Sequence, residues 1–74
     1  MFAFRRTVLR RRVIINTTTD KAFRGVLLDR RGPLLVMRNV ELLEAARPPV
    51  PLDGEVVIER SKVDFVQVLT GSEA

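Results

Sequence analysis

Apolar residues between Val13 and Leu42 fall into three runs that are separated by polar or turn-forming residues. The runs are VIINT at 13–17, AFRGVLLDRR at 22–31 and PLLVMRNVEL at 33–42. The first run is mostly β-branched, and β-branched residues favour strands. The tract from Thr17 to Lys21 and the pair Gly32-Pro33 are typical of turns. The pattern therefore predicts three consecutive strands.

A second apolar block, from Gly54 to Leu69, predicts two more strands. They are Glu55–Glu59 and Val63–Leu69, and the polar corner Arg60-Ser61-Lys62 separates them. Five short strands at this spacing favour an SH3-like barrel over a sandwich, which needs about seven strands. We therefore expect a mainly all-β fold, a five-stranded SH3-like barrel that follows a short N-terminal helix or arm.

The second predicted strand is apolar on both faces, which is typical of a central or sharply bent strand. Phe23, Gly25 and Leu27 share one face of it. A glycine inside a strand marks a bend or a close approach of another backbone. We therefore predict that Gly25 is the structural bend.

Residues 45–53, AARPPVPLD, contain three prolines. Proline disfavours both helices and central strands, so this tract is predicted to be an extended loop. Asp53-Gly54, at its end, is a strong turn signal. The preceding residues, Val40–Glu44, alternate less clearly and fit either a strand end or a helical turn.

The chain divides into a basic arm, residues 1–12, a barrel, residues 13–69, and a polar tail, residues 70–74. The arm contains five arginines and no acidic residue, whereas the rest of the chain has eight basic and nine acidic groups. Phe4 and Val8 lie at helical spacing, so the arm is predicted to be a short helix, with a continuation of the first strand as the alternative. Its charge predicts an anionic partner: nucleic acid, an acidic protein surface or anionic lipid. The residues predicted to bind that partner are Arg5, Arg6, Arg10, Arg11 and Arg12.

The 74 residues include no cysteine and no histidine. A core of this size is marginal unless disulfides, metals or oligomerisation support it, so self-association is expected. The last two strands carry apolar residues on both faces, more than one small core needs, and unpaired strand edges favour pairing with another copy. The predicted oligomer interface comprises Val56, Val57, Ile58, Val63, Phe65, Val66 and Val68.

The acidic residues do not predict a catalytic site. Asp29, Asp53, Asp64, Glu55 and Glu59 lie mostly at turns or alternate with apolar residues, where solvated acids are expected. The sequence also lacks histidine, the commonest general base and metal ligand. We therefore expect no enzymatic activity, no cofactor, no metal and no small-molecule substrate.

The sequence has no stretch close to the roughly 20 apolar residues of a membrane helix. The apolar start of the arm is interrupted by arginine, and no small-residue cleavage site follows it, so it does not resemble a secretory signal. We expect an intracellular protein without a membrane partner.

Three segments together resemble the Sm-like family. Phe23–Leu27 is similar to the Gly-x-Leu portion of its first block, and Leu34–Glu41 resembles its third strand. Ile58–Val63 has the Ile-x-x-x-x-Val spacing of its second block. The likeness spans residues 4–69. It implies a strongly bent Sm-like barrel whose fourth strand pairs with the fifth strand of a neighbouring copy to form a ring.

The sequence departs from the family at the residues of the RNA pocket. Asp29 stands where the family has an aspartate, but Pro33 and Leu34 occupy the region where its asparagine is expected. Glu59 and Arg60 replace the usual Arg-Gly, and the histidine of the bacterial host-factor version is missing. The resemblance therefore implies the barrel without the usual RNA pocket.

The chain also resembles small Sm-like proteins that are encoded among the virion structural genes of phages of high-GC actinobacteria. The segments that carry this likeness are FRGVL at 23–27, DGEVVI at 53–58 and VDFVQVL at 63–69. It implies a structural protein of the virion, capsid or connector, with itself and other virion proteins as partners, located in the host cytoplasm or the virion. The alternative is an RNA-binding ring that uses the arm together with Arg30, Arg31 and Arg60.

Overall fold

The structure is a computed structural model that describes residues 9–69. In these residues it contains five strands and one short 3-10 turn. They are β1 Arg12–Thr17, β2 Lys21–Arg31, β3 Leu34–Glu44, β4 Val50–Glu59, the 3-10 turn Arg60–Lys62 and β5 Val63–Val68. The predicted all-β chain of five strands is confirmed.

The strands form one antiparallel sheet in the order β4-β3-β2-β1-β5. Consecutive strands pair along the meander, and β5 returns to lie beside β1. Val13 of β1, for example, faces Gly25 of β2 on one side and Val68 of β5 on the other. This order leaves β4 and β5 at the two edges of the sheet.

One hydrophobic core joins the whole sheet. Its fully enclosed side chains come from β1 to β4, and Val63 and Val66 of β5 pack against them. Because both edge strands contact the same core, the sheet is curled around it. The buried residues of the core are Val13, Ile15, Leu27, Leu35, Met37, Val40 and Ile58.

Gly25 lies where β2 passes closely over β3. The pairing register of the two strands shifts between Arg24 and Val26, on either side of the glycine. A Cβ atom at this position would lie 2.9 Å from the carbonyl oxygen of Arg38 and 3.0 Å from that of Asn39. The backbones approach this closely only because glycine has no side chain.

The proline-rich tract is shorter as a loop than the sequence predicts. β4 begins at Val50, so the expectation that the loop continues to Asp53 is wrong. Pro51 lies inside β4 and faces Glu41 of β3. Proline is tolerated there because β4 is an edge strand, where a missing N–H leaves no interior hydrogen bond unmade.

The predicted turn at Asp53-Gly54 is also wrong, because this pair lies within β4. The β3–β4 register shifts between Arg38 and Val40, so that Asp53-Gly54 lies opposite Asn39 alone. Gly54 has φ of 73° and Asn39 has φ of 55°. The same residue types that favour a tight turn form a β-bulge here, because β3 continues beside them and pairs on both sides of the irregularity.

Two open expectations concern the ends of elements. Val40–Glu44 is the end of β3 and not a helical turn. The predicted arm lies mostly outside the described residues. In its described part, residues 9–11 form a turn and Arg12 begins β1, so those residues are not helical.

Candidate assembly edges and basic surfaces

The two edge strands have unpaired backbone groups on their outer sides. Within residues 9–69, β4 is hydrogen-bonded to β3 alone and β5 to β1 alone. A strand edge of this kind pairs readily with another strand. β4 and β5 therefore form the candidate assembly edges of the molecule.

Three of the predicted interface residues expose apolar side chains on these edges. Val57 on β4 is 53% exposed, and Phe65 on β5 is 46% exposed. Val68, at the end of β5, is also exposed. Large apolar side chains exposed on unpaired edges are typical of surfaces that contact another protein.

The other four predicted interface residues pack inward. Val56, Val63 and Val66 are half-buried against the core, and Ile58 is 7% exposed and belongs to it. Ile58 faces inward because it pairs with the buried Leu35 of β3. In a single copy its side chain therefore belongs to the core, and it would meet a second copy only as a continuation of that core.

Sequence reasoning missed two exposed apolar residues. Val50 lies between two prolines, which predict a loop, whereas it is the first residue of β4. Leu34 begins an apolar run that suggests burial on both faces, yet it is exposed at the start of β3.

The described part of the basic arm is fixed to the sheet. The backbone N–H of Arg10 donates to the carbonyl of Leu27, and the N–H of Leu27 donates to the carbonyl of Arg11 at 3.1 Å. The N–H of Leu69 donates to the carbonyl of Arg12 at 3.0 Å. Arg10–Arg12 therefore lies between β2 and the end of β5. Of the remaining predicted binding residues, Arg5 and Arg6 lie outside the described residues.

A second basic surface lies in an open groove of about 990 Å³ between two turns. The N–H of Arg60 in the 3-10 turn donates to the carbonyl of Pro33 in the β2–β3 turn at 2.7 Å, which holds the turns together. Arg30 and Arg60 thereby reach the same groove. The groove is lined by Arg30, Gly32, Pro33, Arg60, Ser61, Val63 and Asp64.

The carboxylate of Asp29 is held by its own loop. It accepts a hydrogen bond from the Arg31 side chain at 3.2 Å and one from the backbone N–H of Arg30 at 2.7 Å. The Arg31 hydrogen bond, followed by that of the Arg30 N–H, lowers the pKa of Asp29 below its usual value of 3.8. Asp29 is therefore ionised, and its carboxylate is hydrogen-bonded to residues of its own loop, beside the groove.

We expect Arg31→Ala to raise the pKa of Asp29 towards 3.8. Because the folded-state pKa is depressed, this contact stabilises the fold at pH values above the usual pKa, and its contribution disappears as the pH falls through the folded value. Titration of the Asp29 carboxyl carbon by NMR measures the shift. Arg38→Ala, which removes a distant arginine, should leave it unchanged, and an unchanged Asp29 titration in Arg31→Ala would contradict the assignment.

Charges on the outer face of the sheet are only partly paired. The Arg24 side chain donates two hydrogen bonds to Glu41, and Arg38 lies 3.5 Å from Glu55. Asp53 on β4 is exposed and makes no salt bridge with residues 9–69.

Residues 9–69 do not bring together three or more potential metal-ligating acids. The predicted carboxylates are distributed over separate turns and strand faces. No helix among the described residues is long and apolar enough to cross a bilayer.

No protein-family model matches the chain, and no curated protein matches it. Solved structures do. A chain of the Pyrococcus abyssii Sm protein, in complex with a uridine heptamer, superimposes with a TM-score of 0.74 at 19% identity, over 85% of this chain and 89% of that chain. The fold is Sm-like. This confirms the part of the predicted resemblance that concerns the barrel.

Chains of the NatC complex share this fold. In the complex bound to CoA, the TM-score is 0.76 at 18% identity, over 95% of this chain and 91% of that chain. In the complex bound to Gag peptide and CoA, it is 0.73 at 19% identity, over 84% and 86%. At these identities the similarity concerns the fold alone.

Proposed function

We propose that this chain is a non-enzymatic assembly module in which β4 of one copy pairs with β5 of the next. The observation that carries the proposal is the combination of two unpaired strand edges with exposed apolar side chains, Val57 on one and Phe65 on the other. Pairing the edges satisfies their backbone groups and removes these side chains from water. Because the two edges differ, the contact is head-to-tail and forms a ring if its rotation closes.

The pleat restricts the register between copies. Successive side chains alternate between faces, so inward-facing residues must meet inward-facing residues. Val66 lies opposite the buried Ile15, and Val56 and Ile58 are the inward-facing residues of the second half of β4. In the antiparallel register that we propose, Val66 lies opposite Val56 or Ile58 of the next copy, which joins the two cores across the contact.

Size-exclusion chromatography with light scattering tests the proposal on the native chain. We expect a discrete multimer that persists at high salt, because apolar contacts are not screened by ions. A monomer at micromolar concentration would overturn the proposal. Recording absorbance at 260 nm in the same run detects bound nucleic acid, since the chain has no Trp and no Tyr.

We place this assembly in a phage particle, as a capsid or connector protein. The support is the resemblance of the segments at 23–27, 53–58 and 63–69 to phage structural proteins. Mass spectrometry of purified particles of the phage that encodes the chain tests the placement. We expect each particle to contain enough copies of the chain to form a multimer. Absence of the chain from the particle would overturn the placement.

A second candidate function is nucleic-acid binding in the groove between the two turns. The observation that favours it is the hydrogen bond from Arg60 to Pro33, which brings Arg30 and Arg60 to one groove. Guanidinium groups that line one groove suit phosphates, and each phosphate that they neutralise makes binding more salt-dependent. The arm and Arg31 are the further basic residues that this candidate function would use.

For this candidate we expect Arg30→Ala combined with Arg60→Ala to weaken binding of a single-stranded RNA oligonucleotide. The slope of log affinity against log salt should fall by about 2, because each of the two arginines neutralises one phosphate. Fluorescence anisotropy at several salt concentrations measures it. Arg47→Ala, in the β3–β4 loop, is the matched control, and equal slopes in all three proteins would exclude the groove.

A further inference from the structure

The exposed charges of the sheet differ between its two edges. Arg12 lies beside the end of β5, since its carbonyl accepts a hydrogen bond from the Leu69 N–H, and among residues 9–69 it makes no salt bridge. The opposite edge, β4, carries the exposed acids Asp53, which makes no salt bridge with residues 9–69, and Glu55, which lies 3.5 Å from Arg38. The β5 edge is therefore flanked by positive charge and the β4 edge carries negative charge.

These charges lie on the same face of the sheet. Val13 is buried, so Arg12, the preceding residue of β1, faces outward. Val56 packs against the core, so Glu55 also faces outward. Side chains on one face of paired strands are the ones that interact.

The register between copies brings the two groups together. When Val66 lies opposite Val56 or Ile58 of the next copy, Leu69 lies opposite Asp53 or Glu55 of that copy. Arg12 is the neighbour of Leu69 on the other side, through the 3.0 Å hydrogen bond between their backbones. The backbone of Arg12 is then two strand spacings, about 9.5 Å, from the backbone of an acidic residue of the next copy. An extended arginine side chain and a carboxylate on the same face of the sheet span this distance.

We propose that the partner of Arg12 is the acidic stretch Asp53–Glu55 on β4 of the neighbouring copy. The inference rests on the proposed edge pairing and adds to it the anionic partner of this arginine. Charge complementarity selects the order of the edges, because pairing two β4 edges would bring acids together, and pairing two β5 edges would bring arginines together. Like charges in contact oppose such wrong pairings.

Charge reversal on either side tests the contact. We expect Arg12→Glu and Asp53→Lys each to raise the concentration at which half of the chains are assembled by about tenfold. The combined variant carries both changes, keeps the formal net charge of +4, and should return to within about threefold of the native value. Light scattering over a dilution series gives the midpoints, and circular dichroism verifies that each exposed substitution leaves the fold intact.

Arg47→Glu is the matched control, since it makes the same charge change in the exposed β3–β4 loop and should not move the midpoint. The contact is overturned if both single variants assemble as the native chain does, or if the combined variant does not recover assembly. Either result leaves edge pairing in place. Loss of bound nucleic acid in Arg12→Glu without loss of assembly overturns it in favour of a nucleic-acid partner. A native chain that is monomeric overturns the proposed function itself.

Discussion

Val57→Asp is expected to convert the multimer into a folded monomer. Val57 is 53% exposed in a single copy, so a carboxylate there remains hydrated and the barrel keeps its fold. In the assembled edge the same carboxylate is buried against β5 of the neighbour without a positive partner. Burying an unpaired charge costs several kcal/mol, which weakens assembly by on the order of a hundredfold or more. Light scattering at concentrations where the native chain is assembled measures the change.

Two further variants make this result specific. Val57→Thr has nearly the same shape and no charge, so it should remain a multimer. Phe65→Asp places a charge on the opposite edge and should produce the same monomer as Val57→Asp. A folded Val57→Asp protein that keeps the native mass would contradict pairing through β4.

Gly25→Ala is expected to destabilise each copy by about 3 kcal/mol, the upper part of the range for overpacking a core. The added Cβ would lie 2.9 Å from the Arg38 carbonyl oxygen and 3.0 Å from that of Asn39. These are backbone atoms, so β2 and β3 must separate to accept it. Urea denaturation in the Val57→Asp background measures the free energy of unfolding, because a monomer removes the concentration dependence of stability.

Gly32→Ala is the matched control for the bend. Gly32 has φ of 57° and no atom within 4 Å of an added Cβ, so alanine meets backbone strain but no clash. The expected cost is about 1 kcal/mol. Equal losses of stability for the two variants would show that Gly25 is not at a close approach between strands.

The strand predictions succeeded where the conformation depends only on residues that are neighbours in the sequence. The β-branched run of β1 and the Gly32-Pro33 turn are local signals, and the structure has a strand and a two-residue turn at those positions. The second strand is apolar on both faces around Gly25, which pointed to a close approach, and two strands do come close at that position.

The predictions failed where a neighbouring strand decides the conformation. Asp53-Gly54 has the composition of a tight turn, but β3 pairs with β4 on both sides of it and converts it into a bulge. Pro51 indicates a loop until the sheet order places its strand at an edge. Neither feature is visible in a local window, because pairing partners come from distant parts of the chain.

The sequence by itself determined the all-β class, the number of strands and the uneven distribution of charge, because alternation, turn residues and charge are properties of neighbouring residues. Only the tertiary structure decided which apolar residues face outward. Ile58 and Val57 are adjacent and equally apolar, yet one belongs to the core and the other is exposed on β4. The tertiary structure also placed Arg12 beside β5 and Asp53 on the opposite edge. Burial and edge position depend on how the curled sheet brings distant strands around one core, which no local pattern specifies.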